Sequence, residues 1–360
     1  MYKILVINPG STSTKLALFN DVQKSFDKCL HHPVSELSGF SNIIEQFEYR
    51  LELILQLLRE KNVSLRDIDA YVARGGLLRP IPGGTYIVDK QMLKDLRSGV
   101  QGEHASNLGG ILADALAQKY NKSAYIVDPV VVDELDDLAR LSGHPQLGRR
   151  SIFHALNHKA VAYKTAELLD KKYTDLNLII AHLGGGISVA AHKKGRVIDV
   201  NNALDGEGPY SPERSGTLPA GDLVRLCFSG QFEQEHILKM ITGKGGIVAY
   251  LGTNNIKELQ DRNRTKKDKT IGKILDGMVY QISKEIAALA AVLKGKIDAI
   301  ILTGGIANNQ SVIEQIKDRI SFLAPVYNFP GEEEMDALAL GAYRILSGQE
   351  KAKIYAKEVK

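Results

Sequence analysis

The residues that most constrain this chain are 4-ILVINPGSTSTKLALF-19. An apolar run breaks at Pro9-Gly10 into four hydroxyl residues and Lys15, and a second apolar run comes after them. Apolar strand, small-residue turn and apolar strand make a β-hairpin. Its tip gathers backbone N–H groups, the hydroxyls of Ser11, Thr12, Ser13 and Thr14, and one ammonium, and small residues let an anion come close to them. A polyphosphate is the ligand such a tip suits. The turn is not a P-loop: G-x-x-x-x-G-K-[ST] is absent, and Leu16 to Phe19 read as strand rather than helix. The same logic returns at 176-LNLIIAHLGGGISVAAHKKGRVIDV-200, with Gly184-Gly185-Gly186 as the small-residue turn. A hairpin with a phosphate-sized turn thus begins each half of the chain. Duplication of one α/β unit is the economical explanation.

Composition narrows the setting. A chain of 360 residues is long enough for two domains, each with its own core. With 44% hydrophobic and 24% charged residues the balance is that of an ordinary globular protein. A net charge of +4 and 6% aromatic residues carry no sign of a nucleic-acid surface. Cys29 and Cys227 stand far apart without metal spacing, which fits a reduced cytoplasmic protein. Met1-Tyr2-Lys3 leads straight into the first strand and leaves no room for a signal peptide, and no apolar run approaches the ~20 residues that span a bilayer. A cytoplasmic protein of enzyme size, with neither nucleic acid nor membrane as partner, is the expectation.

Along the chain, residues 21–40 continue the sheet as a weaker third strand, and from Ser41, a candidate N-cap, Ile43, Ile44, Phe47, Leu51, Ile54, Leu55 and Leu58 recur at helical spacing. A strand at 68–73 ends at Arg74-Gly75-Gly76, 80–84 is a loop, and a helix opens near Glu103 or Ala105 and runs to 120. A strand at 124–128 ends in Asp128-Pro129, and 133–140 reads as helical. Residues 142–153 are a connection, followed by a helix over 154–172, and the domain boundary is placed there. Residues 201–220 form a Gly/Pro-rich loop containing Arg214-Ser215-Gly216, and long loops inside compact domains are usually functional. Helices follow near 221–229 and 232–242. The basic run 262–273 reads first as a solvated surface and second as a phosphate attractor. A buried helix over 276–294 feeds the strand 298–303, which runs into Gly304-Gly305-Ile306-Ala307-Asn308. Strand, glycine pair and polar helix start are the usual geometry for a nucleotide at the carboxyl end of an α/β sheet. The last helix, 333–348, opens behind three glutamates, ordinarily partners of the helix dipole.

Taken together, these segments resemble the acetate and propionate kinase family, most specifically its butyrate-kinase branch, within the actin–hexokinase–Hsp70 superfamily. INPGSTSTK (7–15) and AHLGGG (181–186) are similar to the family's two phosphate hairpins. ARGGLLRPIPGG (73–84), GEHASNLGG (102–110), Asp128, Phe153-His154, Arg214-Ser215-Gly216 and TGGIANN (303–309) are similar to its other signatures. They lie in the family's order over nearly the whole length. One departure is that Arg74 stands where acetate kinases carry a histidine, and Tyr71 where their arginine is expected.

The resemblance implies an α/β fold of two duplicated actin-like ATPase (ribonuclease H-like) domains flanking an active-site cleft. Domain I spans 1–150 plus the C-terminal helix 331–360, and domain II, for nucleotide binding and dimerisation, spans 151–330. The implied reaction is reversible phosphoryl transfer from MgATP to butyrate, isobutyrate or another short-chain acid. A phosphatase or sugar kinase, and a non-catalytic nucleotide-binding regulator, are the alternatives on the same fold. Arg74 holds the acyl carboxylate, with small Ala73 leaving room for a longer chain, and Arg214 and His154 contact the γ-phosphoryl group. Asp128 and Glu334 (or Glu333), with Asn8, serve Mg²⁺. Asn8, Gly10, Ser11, Ser13 and Lys15 line the first phosphate hairpin, and His182, Gly184, Gly185 and Gly186 the second. Gly304, Gly305, Ile306 and Asn308 lie against adenosine. His104 and Asn107 match a signature whose role, capping, packing or catalysis, stays open. A homodimer or higher oligomer is implied.

Overall fold

The computed structural model describes residues 1–266 and 268–359. Lys267 of the basic run and Lys360 at the end of the expected first domain lie outside them. In chain order the strands are β1 (Lys3–Gly10), β2 (Ser13–Asn20), β3 (Gln23–His31), β4 (Ala70–Arg74), β5 (Thr85–Ile87) and β6 (Ser123–Val127). Then come β7 (Asn177–Leu183), β8 (Ile187–Lys193), β9 (Arg196–Val200), β10 (Ala299–Gly304), β11 (Val326–Pro330) and β12 (Lys353–Ile354). They form two sheets, ordered β12-β5-β6-β4-β1-β2-β3 and β11-β10-β7-β8-β9.

The two sheets share one plan. In the first, β1, β2 and β3 form an antiparallel meander while β4 and β6 add to β1 in parallel. In the second, β7, β8 and β9 form the meander while β10 and β11 add to β7 in parallel. Even the register shift between second and third strands recurs, at Leu18/Phe19 and at Ala191/His192. Strands buried on both faces read as continuous apolar runs, as Ile4 to Ile7 and Leu178 to Ala181 do. The duplication inferred from two hairpins therefore extends through five strands of each sheet.

The chain divides into one compact unit of residues 1–133 and 333–360 and a second of 134–332. The boundary expected at 150 thus falls earlier, and the physical reason is local. Lys159 Nζ meets the buried Glu134 carboxylate at 2.7 Å, which also accepts from Val197 N, and Arg149 donates to Asp199 and Glu207. Residues 134–150 are thereby bonded to β9 and its neighbours. The C-terminal segment belongs to the first unit: buried Tyr355 donates from its hydroxyl to Asp95, and Ala356 N donates to Asp89.

In the first unit the helices Phe47–Glu60 and Asn107–Gln118 contribute to a core that includes Leu5, Ile7, Ile54, Tyr71 and Leu112, and the helix Glu334–Leu346 packs on β1 and β4. In the second, the long helix Lys269–Val292 packs on β7 and β8 with Met278, Ile282 and Ile286 buried. Several expectations are corrected. The first long helix starts at Phe47 after a single tight turn from Ile44, so Ser41 is not its cap; Ser41 N donates instead to Glu45. Residues 133–140 hold only a one-turn helix, Asp137–Arg140. The described part of the basic run forms the end of the helix Ile256–Lys266 and the start of Lys269–Val292, capped by Asp268. The helices Lys90–Ser98, Gly246–Leu251 and Gln310–Ile320, and the strands β5, β11 and β12, were not anticipated. No helix among the described residues is long and apolar enough to cross a membrane.

Candidate active site

In the first unit the parallel register aligns the carboxyl ends of three neighbouring strands. Ile7 sits beside Ala73, and Arg74 beside Val127, so Asn8, Arg74 and Asp128 emerge at successive strand ends. The helix Glu334–Leu346 brings its first residue to them. Asn8 Nδ2 donates to Glu334 Oε2 at 2.7 Å, and Arg74 Nη1 meets Glu334 Oε1 at 3.2 Å. Glu333, the residue before the helix, adopts a left-handed conformation with φ of 35°. Of the two glutamates weighed from sequence, Glu334 thus contacts both Arg74 and Asn8. Asp128 is buried with φ of 37° and anchors the 80–84 loop: its N–H donates to Gly84 O and its Oδ1 accepts from Gly84 N.

Ala73 is fully buried, and a Cβ placed on Gly109 would lie 3.3 Å from its methyl. Its small size lets the helix Asn107–Gln118 approach the sheet at Gly109. Asn107 is a clamp: its Oδ1 accepts from Leu77 N and its Nδ2 donates to Gly102 O. His104 Nδ1 accepts from Ser106 at the start of that helix. The His104 residue keeps an exposed edge, yet desolvation of the rest of the ring, then the Arg74 charge, lower its pKa.

The hairpin tip of the first unit presents Ser11, Thr12 and Lys15 to solvent, with Gly10 and Ser13 half-buried beside them. Gly10 pairs with Ser13, so the turn is the two residues Ser11-Thr12.

In the second unit the glycine turn after β7 is built against the 201–220 loop. Ser211 Oγ donates to Gly185 O at 2.5 Å, and Glu213 N donates to the same oxygen. Ser211 N in turn donates to Arg214 O, and Arg214 N to Ser211 Oγ. The Arg214 guanidinium donates to Ala203 O and lies directly over Gly186, where any Cβ would collide with it. Burial lowers its pKa from the ordinary arginine value. Gly304 has φ of 90° and faces Leu183 O at 2.5 Å from where a Cβ would stand, so β10 and the second hairpin touch only because that residue is glycine. Gly305, Ile306 and Asn308 follow in one tight turn, and Asn308 Nδ2 donates to Gly305 O.

His154 precedes the helix Ala155–Leu168, and its ring stacks on that of His182 with centroids 3.8 Å apart. His182 Nδ1 donates to Asn157 Oδ1 at 2.8 Å, and its Nε2 lies 3.4 Å from Glu332 Oε1. Behind His154 runs a buried chain that the sequence did not announce. His154 Nδ1 meets Ser188 Oγ at 2.9 Å, Ser188 Oγ meets His158 Nε2 at 2.9 Å, His158 Nδ1 meets His192 Nε2 at 3.3 Å, and His192 Nδ1 meets Tyr173 OH at 2.7 Å. Desolvation first, and neighbouring rings and Lys159 after it, hold His158 and His192 well below the usual histidine pKa, so both are neutral. The available signal was spacing: His154 and His158 share a helical face, and Ser188 and His192 one face of β8.

Two α/β units of one topology, each carrying a small-residue hairpin, the first with Asn8, Arg74 and Asp128 at its strand ends and the second with His154, His182 and Arg214, define a two-domain ATPase fold of the actin type. The profile of the acetokinase family matches residues 143–335. Butyrate kinase 2 of Clostridium acetobutylicum is 58% identical over 354 residues, covering 98% of this chain and 99% of its own. Butyrate kinase 1 of the same organism is 54% identical over 355 residues, covering 99% and 100%. Among solved structures, acetate kinase of Porphyromonas gingivalis superposes with a TM-score of 0.75 at 19% identity, covering 97% of this chain and all of that one. A propionate kinase of Francisella tularensis does so with 0.72 at 18%, covering 95% and 99%. The chain belongs to the acetokinase family.

Proposed function

We propose that the chain is a butyrate kinase, transferring the γ-phosphoryl group of MgATP reversibly to the carboxylate of butyrate to give butyryl phosphate and ADP. The observation that carries this reading is the whole-length identity of 58% and 54% to two butyrate kinases. The residues supply a mechanism. A short-chain acid is ionised at neutral pH, its pKa lying near 4, so the nucleophile needs no general base. The difficulty is repulsion between a carboxylate and a polyphosphate, which cations and positioned donors relieve.

Arg74 is assigned to the butyrate carboxylate. Glu334 already occupies one guanidinium nitrogen at 3.2 Å, so the group meets a carboxylate here, and the remaining N–H groups keep donor capacity for a second. Arg214, with its guanidinium resting on Gly186 in the glycine hairpin, and His154 are assigned to the oxygens of the transferring group. When Tyr173 donates to His192, neutral His192 donates to neutral His158, His158 to Ser188, and Ser188 to His154 Nδ1. His154 then presents Nε2–H, a donor of the kind an oxygen gaining negative charge requires.

Magnesium, when bound with the nucleotide, would supply neutralising charge to the phosphates. The donor set fits a cation that keeps most of its waters: Asp128, Glu334 and Asn8 are the groups offered, and no cage of three or more acidic, histidine or cysteine side chains exists among the described residues. Gly304, Gly305, Ile306 and Asn308 are assigned to adenosine, and the two hairpins to the phosphates. A cytoplasmic setting accords with two free cysteines. A homodimer or higher oligomer accords with the exposed apolar side chains Val224, Phe228 and Leu238 of the second unit.

A hydroxamate assay with MgATP and a panel of acids from acetate to valerate, including isobutyrate and isovalerate, tests the reading. Acyl phosphate formed fastest with butyrate is the expected result. Fastest turnover of isobutyrate would move the assignment to a branched-chain acid kinase, and no product from any acid would end it.

A further inference from the structure

Arg50 stands on the helix Phe47–Glu60 and is 0% exposed. Its guanidinium is saturated by neutral acceptors. Nη1 donates to Gly10 O at 2.9 Å, Ser13 O at 3.1 Å and Thr14 Oγ1 at 3.0 Å. Nη2 donates to Ser11 O at 3.1 Å and Gln46 Oε1 at 2.8 Å, and Nε to the same Gln46 oxygen at 3.1 Å. No carboxylate pairs with it among the described residues. A buried cation without a counter-charge is expensive, since no opposite charge offsets its desolvation. A fold that needed only a hydrogen-bonding clamp could have used a neutral group.

The turn shows what the cation does. Arg50 takes the carbonyls of Gly10, Ser11 and Ser13, and His32 N donates to the remaining one, Thr12 O, at 2.8 Å. Every carbonyl of the tip is drawn into the unit, while Ser11 and Thr12 are exposed and their N–H groups meet no acceptor among the described residues. The tip is left with outward N–H groups above a fixed positive charge. Its reach is visible at His32: Thr14 Oγ1, already accepting from Arg50, lies 2.8 Å from His32 Nε2, and desolvation followed by the Arg50 charge pushes that histidine down to about 4.

We propose that Arg50 is the positioning residue of the first hairpin, orienting the Ser11-Thr12 N–H groups outward and supplying the uncompensated charge that makes the tip selective for the terminal phosphates of a nucleotide. The proposal rests on the reading that this hairpin binds phosphate. It adds a buried residue, on a different element, that no phosphate needs to touch.

Gln46→Glu separates charge from scaffold. The substituted side chain accepts the same hydrogen bonds but sets a carboxylate against the guanidinium. Calorimetric titration of the full chain with MgADP and with inorganic tripolyphosphate is the readout, together with KM for MgATP and for butyrate. Gln46→Glu is expected to keep the wild-type melting temperature and to weaken both anions roughly tenfold, the order for one charge acting over about 10 Å at an effective dielectric near 20. Butyrate KM should stay within about twofold, since uniform binding of the other substrate is untouched. Arg50→Gln should lose more than Arg50→Lys, which retains the charge. Wild-type affinity in folded Gln46→Glu protein overturns the proposal, and this variant decides alone if the Arg50 substitutions do not fold. A wild-type chain that binds MgADP but makes no acyl phosphate refutes the kinase reading while leaving the binding comparison intact. A wild-type chain that binds neither anion overturns both.

Discussion

At Gly186 the absence of one methyl group decides where a charge sits. The Arg214 guanidinium occupies the space a Cβ would fill, and it is held there by Ala203 O and by the Ser211 bonds to its own backbone. Gly186→Ala should push the end of that flexible side chain aside without disturbing the sheet, because the colliding atoms are those of the guanidinium. Turnover is expected to fall about 10²–10³-fold, the loss typical of one misplaced transition-state donor, with little change in thermal melting. Near-normal kcat in the folded variant would remove Arg214 from the proposed role. The pairing of Arg74 with Glu334 carries a similar lesson. The arginine is already shared with a carboxylate of the protein itself, so in the role proposed for it butyrate would have to add to or displace Glu334.

At the scale of elements, the helix Ala155–Leu168 and β8 meet through buried imidazoles. His158 and His192 are fully enclosed between them, and His32 is enclosed beside the first hairpin. All three have folded pKa values below the unfolded value near 6.5, His32 at about 4 and the other two well below it, each because burial penalises the charged ring first. The unfolded chain therefore binds more protons once the pH drops under about 6.5, and the stability these groups lend above that point is lost as the pH falls. Each contributes up to about 1.4 kcal/mol per pH unit, His32 ceasing to do so below about pH 4. Urea unfolding at pH 7.5, 6.0 and 5.0 should show a steep decline over this window. A flat profile would mean that none of the three rings is held neutral by the fold and that the hydrogen-bond chain behind His154 runs differently.

At the scale of the whole molecule, the helices Ala220–Cys227 and Gln234–Ile241 leave apolar side chains in solvent. Phe228 is 88% exposed, Val224 55% and Leu238 50%, and the first of these helices buries none of its residues. Such a patch fits association of copies of the chain. Sedimentation equilibrium of the wild type is expected to give a dimer or larger species, and Phe228→Glu to shift the population toward monomer without lowering the melting temperature. A monomeric wild type would assign the patch to some other partner.

The local chemistry was written in the order of residues. Both hairpins, the Asp128-Pro129 strand end, Phe153-His154 and the Gly304-Gly305 turn depend on short-range periodicity and turn residues, and these carry the strands, their duplication and the family resemblance. Arg50 was legible in part, since it falls among Phe47, Leu51 and Ile54 on the apolar face of its helix, a position where a cation needs a reason. What no local pattern could supply were contacts between residues distant in sequence: Glu334 on Arg74, Ser188 and His192 behind His154, and Ala73 under Gly109. The boundary at 133 belongs with these, because it follows from Glu134 meeting Lys159 and Val197, residues distant in sequence. Periodicity specifies which face of an element is buried, but the partner met on that face is chosen by packing, hydrogen-bond satisfaction and charge in three dimensions.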